Sequence, residues 1–479
     1  MPDPMFPPQS MLIDGDWLAA GEHGDGEVRS PYDGSLVARV PAGGERDVAA
    51  AVAAAKAALA RDDFPRHERI SVLERAAGAL AERNEEFARA IAAESAKPIK
   101  TARLEAQRAV DTFAFAAAAA RDLAGTVVPI EATEGGAGRT AFTLRVPVGI
   151  VGAIAPFNFP LNLVAHKVAP ALAAGCPVVL KPASQTPVSS LLLARLLVEL
   201  GVPRGWLNVV TGGGGAVGEP MVGSDDIAYL TFTGSSDVGW AMAGKAPKKK
   251  VRLELGSNSP LVVDVGGDWE TAATKTATAG FAHAGQSCIS TQRIFLHEDI
   301  AEDFLAVLLP AVEALTVGDP MKEDTDVSSL ISEAERDRVL AWIEEAQEAG
   351  AKLLCGGELV DNCIRPAVLA DVTRDMQVQS GEIFGPVVTV TRFRDFDEAL
   401  AMANDSRYGL QAGVFTRDLG KALKAARTLV YGGVLINDVP THREDQQPYG
   451  GVKDSGNTRE GPAYAVEEMT ELRMVSLQG

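Results

Sequence analysis

Apolar positions change their period several times along the chain. Between residues 12 and 40 they come in short runs broken by Asp14-Gly15-Asp16 and Pro31-Tyr32-Asp33-Gly34, the turn chemistry of small strands and hairpins. From 45 to 124 alanine dominates, with Arg and Glu at helical spacing, as in ERDVAAAVAAAKAALA. This predicts three or more helices, broken near Asp62–Pro65 and Lys97-Pro98. Residues 125–147 return to strand-like runs around the loop EGGAG and read as a hairpin set apart from its neighbours. From Val148, buried strands (VGIVGAIAP, CPVVLKP, WLNVVTG, IAYLTFTG, VRLEL) alternate with helices. Beyond Gly256 a second alternation begins: strands LVVDV, RIFL, QAGVFT and GVLIN with others near 352–369 and 387–394, and helices at 269–283, 299–315, 332–349, 397–403 and 418–428. Such alternation implies α/β architecture, two parallel sheets with helices on both faces, and the cleft between the units is the expected site.

Composition narrows the function classes. At 479 residues the chain is long enough for two or three domains, and its 46% apolar and 23% charged residues are ordinary for a soluble protein. A net charge of −19 argues against nucleic-acid or anionic-membrane partners. The basic run Lys248-Lys249-Lys250, with Arg252, reads as a solvated strand entrance. Four cysteines without CxxC spacing and six scattered histidines without HExxH suggest neither a disulfide framework nor a metal site; Cys355 and Cys363 read as packing residues. The Pro-rich start, MPDPMFPPQSM, lacks the features of a secretory signal, and no window has the roughly 20 apolar residues of a membrane span. A cytoplasmic location follows as the expectation.

The candidate chemistry centres on Cys288, in GFAHAGQSCISTQRIF (280–295). Small and polar neighbours place this thiol on a loop. Locally it reads either as a packed small hydrophobe or as a reactive group. His283, five residues earlier, is expected on the preceding helix. GGGAVG (213–218) formally satisfies GxGxxG after a strand, but no acidic residue follows as a dinucleotide fingerprint requires, and a flexible turn fits equally. Gly234 and Ser235, between a strand and a helix, can offer donors to a phosphate. Lys181 closes an apolar strand and can reach a ribose or phosphate oxygen. Glu254 closes VRLEL between two leucines, where desolvation raises a carboxyl toward the range of a general base. Asn158, in the proline-bounded PFNFP, can present its amide to an oxyanion.

These residues lie in stretches that together resemble the aldehyde dehydrogenase superfamily: APFNFPLN (155–162), VVLKPASQTP (178–187), FTGSSDVG (232–239), LELGSNSP (253–260), GQSCIS (285–290), EIFGPV (382–387) and PYGGVKDSG (448–456). The seven motifs stand in the right order, and the resemblance runs over nearly the whole chain. The resemblance implies a Rossmann-like dinucleotide-binding domain (1–124 and 148–256), a second α/β catalytic domain (257–448) and a small β oligomerisation flap (125–147 and 449–479). It implies oxidation of a small aldehyde to its acid by NAD or NADP, without metal. Cys288 would be the nucleophile and Glu254 the base, with Asn158 and the backbone N–H of Cys288 as the oxyanion hole. Lys181 and Glu382 would hold the riboses, Gly234 and Ser235 the pyrophosphate, and Phe384 the nicotinamide, with Phe157 also at the cofactor. A homodimer or homotetramer is implied.

Ser184 stands where NAD-preferring members often carry glutamate; a serine does not repel a 2′-phosphate, so NADP or dual use is expected. Ser257-Asn258 resembles the subgroup holding lactaldehyde, non-phosphorylating glyceraldehyde-3-phosphate, phosphonoacetaldehyde and succinate-semialdehyde dehydrogenases. Arg108 and Arg443 are candidates for holding an anionic substrate, although Ser287 replaces the arginine that phosphate-using members tend to place before the nucleophile. Two alternatives stand beside this reading. A CoA-acylating relative generally lacks the Glu254 base, and a non-catalytic relative usually loses thiol or base.

Overall fold

The computed structural model describes residues 4–479. Two seven-stranded sheets organise it. The first runs, in spatial order, Lys250–Glu254, Ile227–Thr233, Ile150–Ile154, Val178–Lys181, Leu207–Val209, Met11–Ile13 and Asp16–Leu18. Its first five strands are parallel, and the N-terminal hairpin closes the edge antiparallel. The second runs Lys352–Cys355, Ala367–Ala370, Val387–Phe393, Arg293–His297, Pro260–Val263, Gln411–Phe415 and Gly433–Ile436, parallel except at the first strand. The chain passes from the first sheet to the second between Glu254 and Pro260.

The segment 45–124 forms four helices, Glu45–Arg61, Arg66–Glu82, Asn84–Ser95 and Ile99–Asp122. On the last, Ala102, Ala106, Ala109, Phe113, Ala116, Ala117 and Ala120 repeat at helical spacing and are buried. These small side chains let it lie close to Arg66–Glu82 and Asn162–Ala174; a leucine for Ala109 would overpack that seam at a cost of about 1–3 kcal/mol. The helix Asn162–Ala174 is buried along its whole length and ends at Gly175, whose left-handed backbone (φ 86°) caps it. Its polar residues, Asn162, His166 and Lys167, therefore need internal partners, and all three find them beside the cleft.

Residues 125–147 form an arm. Arg139–Pro147 pairs antiparallel with Thr470–Gln478 over their full length and with Val127–Val128 on its other side. Leu472, Met474 and Leu477 on the edge strand are exposed. Of the stretch 449–479, assigned above to the flap, only Thr470–Gln478 lies in this arm. Residues 449–460 turn back to the cleft, where Glu254 bridges to Gly456. The basic run is tied down, Lys249 Nζ donating to the carbonyls of Val222 and Ser224 and Lys250 pairing with Glu471 at 2.6 Å. Among the described residues, no helix is long and apolar enough to cross a membrane, and no cluster of metal-ligating side chains occurs.

Candidate active site

A cavity of about 720 Å³ lies between the sheets. Four parallel strands of the first sheet end at it. Ile154 leads into Phe157 and Asn158, Val178–Lys181 ends on Lys181, Thr233 leads into Gly234 and Ser235, and Lys250–Glu254 ends on Glu254. Chain order reverses between Ile150–Ile154 and Ile227–Thr233, the switch point where open α/β sheets bind ligands. From the other side Cys288, Glu382 and Phe384 line the same cavity. All ten residues expected for catalysis and cofactor are thus brought together.

The loop carrying Cys288 is held by unusual backbone. His283, Ala284 and Gly285 are all left-handed (φ 51°, 54° and 71°). His283 therefore stands in a tight turn after the helix Trp269–Ala279, not on that helix as expected, and both its ring nitrogens are buried without a partner. A Cβ at Gly285 would sit 2.1 Å from the Gly385 carbonyl, so only glycine fits. Gln286 ties the loop down. Its Nε2 donates to the His283 carbonyl, its Oε1 accepts the Ile331 N–H at 2.9 Å, and its own carbonyl accepts Asn158 Nδ2 at 2.9 Å. One Asn158 amide hydrogen is thereby used and the other remains for a ligand.

Asn158 is fixed from behind. Its carbonyl accepts Lys97 Nζ at 2.6 Å, and Lys97 forms a fully buried ion pair with Glu105. Glu105 Oε1 also accepts the N–H groups of Leu161 and Asn162, which open the next helix. Cys288 Sγ lies 2.9 Å from Tyr449 Oη. Burial pushes the thiol up to about 12, opposed by Tyr449 and by the Arg443 charge.

Glu254 is 4% exposed, and both its carboxylate oxygens lack a hydrogen-bond partner among the described residues. Burial raises its pKa well above the usual range, and Glu460 adds to the rise. Glu460 moves the other way: Lys167 and Arg443 hold it low against burial. Lys167 Nζ lies 3.5 Å from Glu460 and donates to Thr231 and Thr233.

The residues facing the cavity suit a dinucleotide. Lys181 is 5% exposed rather than surface-splayed, donates to the Pro182 carbonyl at 3.1 Å and is lowered by burial to about 8. Exposed Ser235 precedes the N-terminus of Ser236–Lys245, whose free N–H groups favour a phosphate. Glu382 Oε1 accepts the Ser257 N–H at 2.9 Å, and burial raises it to about 7. A Cβ at Gly256 would meet its Oε2 at 2.0 Å. Phe384, left-handed at φ 48°, stands edge-to-face with Phe157 at 5.8 Å. Ser184 is exposed and donates to the Gly212 carbonyl. GGGAVG becomes a single π-turn, Gly214–Gly218, of which Gly214 and Gly218 line the cavity.

The two candidate substrate arginines do not line it. Arg108 makes a forked pair with Asp445 at 2.8 and 3.1 Å, and Asp445 also accepts from Asn162 and His166. Arg443 pairs with Glu460 at 3.0 Å and lies 3.7 Å above the Tyr449 ring. Tyr449, Gln286 and Glu460 were missed as site residues. Tyr449 stands in the PYGG motif, but nothing local indicates a contact with a thiol 161 positions away.

A thiol, a buried carboxylate unpaired among the described residues and an amide donor thus face one cavity. The chain belongs to the aldehyde dehydrogenase family, whose profile matches residues 17–475. It is 45% identical to 3-sulfolactaldehyde dehydrogenase of Priestia megaterium, covering 98% of this chain and 97% of that one. It is 38% identical to lactaldehyde dehydrogenase of Methanococcus aeolicus, covering 97% and 99%. Among solved structures, aldehyde dehydrogenase 21 of Physcomitrella patens in complex with the reaction product succinate superposes with a TM-score of 0.95 at 38% identity, covering 99% of each chain. The NADP-dependent glyceraldehyde-3-phosphate dehydrogenase of Bacillus halodurans, complexed with NADP, gives 0.95 at 35%, covering 98% and 99%. The chain is an NAD(P)-dependent aldehyde dehydrogenase, oxidising small aldehydes.

Proposed function

We propose that the substrate is a short 2-hydroxyaldehyde of the lactaldehyde or 3-sulfolactaldehyde type, oxidised to its acid through a thioester on Cys288. The observation that carries the mechanism is that the Cys288 sulfur, Asn158 and the unpartnered Glu254 carboxylate share one cavity. The Cys288 thiolate attacks the carbonyl carbon, and the oxyanion formed is held by the free Asn158 amide hydrogen and the Cys288 backbone N–H. A nicotinamide cofactor would supply the acceptor for the hydride this carbon releases; Phe157 and Phe384 would flank its ring, Lys181 and Glu382 would hold its riboses, and Gly234 and Ser235 its pyrophosphate. Glu254 then takes a proton from the water that hydrolyses the thioester. Its raised pKa makes this step accelerate with pH until the carboxyl is ionised.

The names of the relatives support the substrate class. Ser287, in place of an arginine, weighs against a phosphorylated aldehyde. Arg108 and Arg443 bear on substrate charge only through their paired carboxylates, Asp445 and Glu460. Ser184 favours NADP or dual use. We assign dinucleotide binding to 1–124 and 148–256, the nucleophile to 257–448, and assembly into a homodimer or homotetramer to the arm of 125–147 with Thr470–Gln478, whose exposed edge suits pairing with another copy. A reducing, cytoplasmic setting suits four free cysteines.

The test is a panel of lactaldehyde, 3-sulfolactaldehyde, succinate semialdehyde and glyceraldehyde 3-phosphate, followed by the absorbance of reduced cofactor with NAD and with NADP. The highest kcat/KM is expected for one of the first two. A preference for the phosphorylated aldehyde overturns the substrate reading. Acyl-CoA formed on adding CoA would favour the acylating alternative, against which Glu254 stands.

A further inference from the structure

Cys288 sits in a small apolar cluster with Ile289, Leu410 and Tyr449. An anionic sulfur there meets one close polar group, the Tyr449 hydroxyl at 2.9 Å. We propose that Tyr449 is a catalytic residue of this enzyme, its hydroxyl donating a hydrogen bond to the Cys288 thiolate as it forms and again as it leaves the thioester. This rests on Cys288 being the nucleophile.

The phenol is built to stay in place. Tyr449 is 3% exposed, its N–H donates to the Gln447 carbonyl, and its carbonyl accepts the Glu460 N–H at 2.6 Å. Arg443 lies over the ring face at 3.7 Å, and its own side chain is fixed by Glu460. A cation on the ring face draws electron density from the oxygen and strengthens the O–H as a donor. Burial raises the Tyr449 pKa well above that of a free phenol, so the group donates a hydrogen bond and keeps its proton. In the resting thiol either partner can donate; after ionisation only the phenol can. When the S–H bond breaks, its electron pair stays on sulfur and the proton passes to water in the cleft. The S–C bond then forms as the carbonyl pair moves to oxygen. On hydrolysis the C–S pair returns to sulfur and the same O–H meets it.

The experiment is alkylation by iodoacetamide against pH on the full-length protein, read by mass on the peptide containing Cys288. Tyr449→Phe is expected to raise the midpoint by about one pH unit and slow alkylation about tenfold at a fixed pH below it. A merely structural tyrosine would lower the melting temperature and leave the midpoint unmoved, which overturns the proposal. Should Tyr449→Phe not fold, 3-fluorotyrosine at 449, a stronger donor, is expected to lower the midpoint, and an unmoved one overturns the proposal. Cys288→Ser separates the two readings: if it still oxidises aldehydes, the nucleophile assignment falls, and Tyr449 with it.

Discussion

The two sheets deliver their chemistry from opposite ends. The first brings Lys181, Glu254, Gly234 and Asn158 at or just beyond the C-terminal ends of parallel strands. The second brings its residues before its strands begin. Cys288 precedes Arg293–His297 by five positions, and Glu382 and Phe384 precede Val387–Phe393. The C-terminal crevice of the second sheet, between Pro260–Val263 and Gln411–Phe415, is closed instead. Asp264, 2% exposed, pairs there with Lys421 at 2.8 Å and accepts from Thr416. The difference is chemical. Strand C-termini lead into helix N-termini, whose N–H groups suit phosphates. The second sheet offers a thiol and a carboxylate ahead of its strands, whereas the first adds the helix N-terminus at Ser235 to its own side chains.

The largest test of this contrast removes the nucleophile proposed for the second sheet. Cys288→Ala is expected to lower kcat for every aldehyde about ten-thousandfold while cofactor binding, followed by fluorescence titration, stays intact. Next comes the carboxylate of the first sheet proposed as the base. Glu254→Gln should keep a burst of reduced cofactor in stopped-flow traces, slow steady turnover by roughly a hundred- to a thousandfold, and lose the rise of kcat with pH. A missing burst would place Glu254 before hydride loss rather than after it. Ser184→Glu should shift the ratio of kcat/KM from NADP toward NAD by about tenfold, through repulsion of the 2′-phosphate. The smallest catalytic effect belongs to the closed crevice. Asp264→Ala should cost about 2 kcal/mol in urea unfolding and change kcat by less than about twofold. A larger loss of activity would mean that the second sheet's C-terminal end is also functional.

Strand ends were the part of the site most legible in the sequence. Lys181 and Glu254 each close a run of apolar residues, and Asn158 lies between prolines, so local pattern alone places them at a sheet edge. The helix Asn162–Ala174 was legible for the same reason, despite Pro170 inside it. Tertiary contacts were not. The Tyr449 hydroxyl reaches Cys288 across 161 positions, and Asp445, the partner of Arg108, lies 337 positions away. His283 was misplaced because helical periodicity runs on into 280–284, whereas the backbone there is left-handed and Gly285 packs against Gly385, a contact no local propensity encodes. GGGAVG stayed open between a fingerprint and a flexible turn, because its spacing fits both; its backbone makes a π-turn at the cavity.

The anchoring of Gln286 bears on protein engineering. Its side chain and carbonyl bond to residues 283, 331 and 158, while its neighbour Gly285 abuts 385. The reactive segment is therefore not a portable cassette. Grafting GQSCIS onto another scaffold would transfer the thiol without the three distant contacts, to residues 158, 331 and 385, that aim it, and a designer wishing to move this chemistry would have to move both sheets.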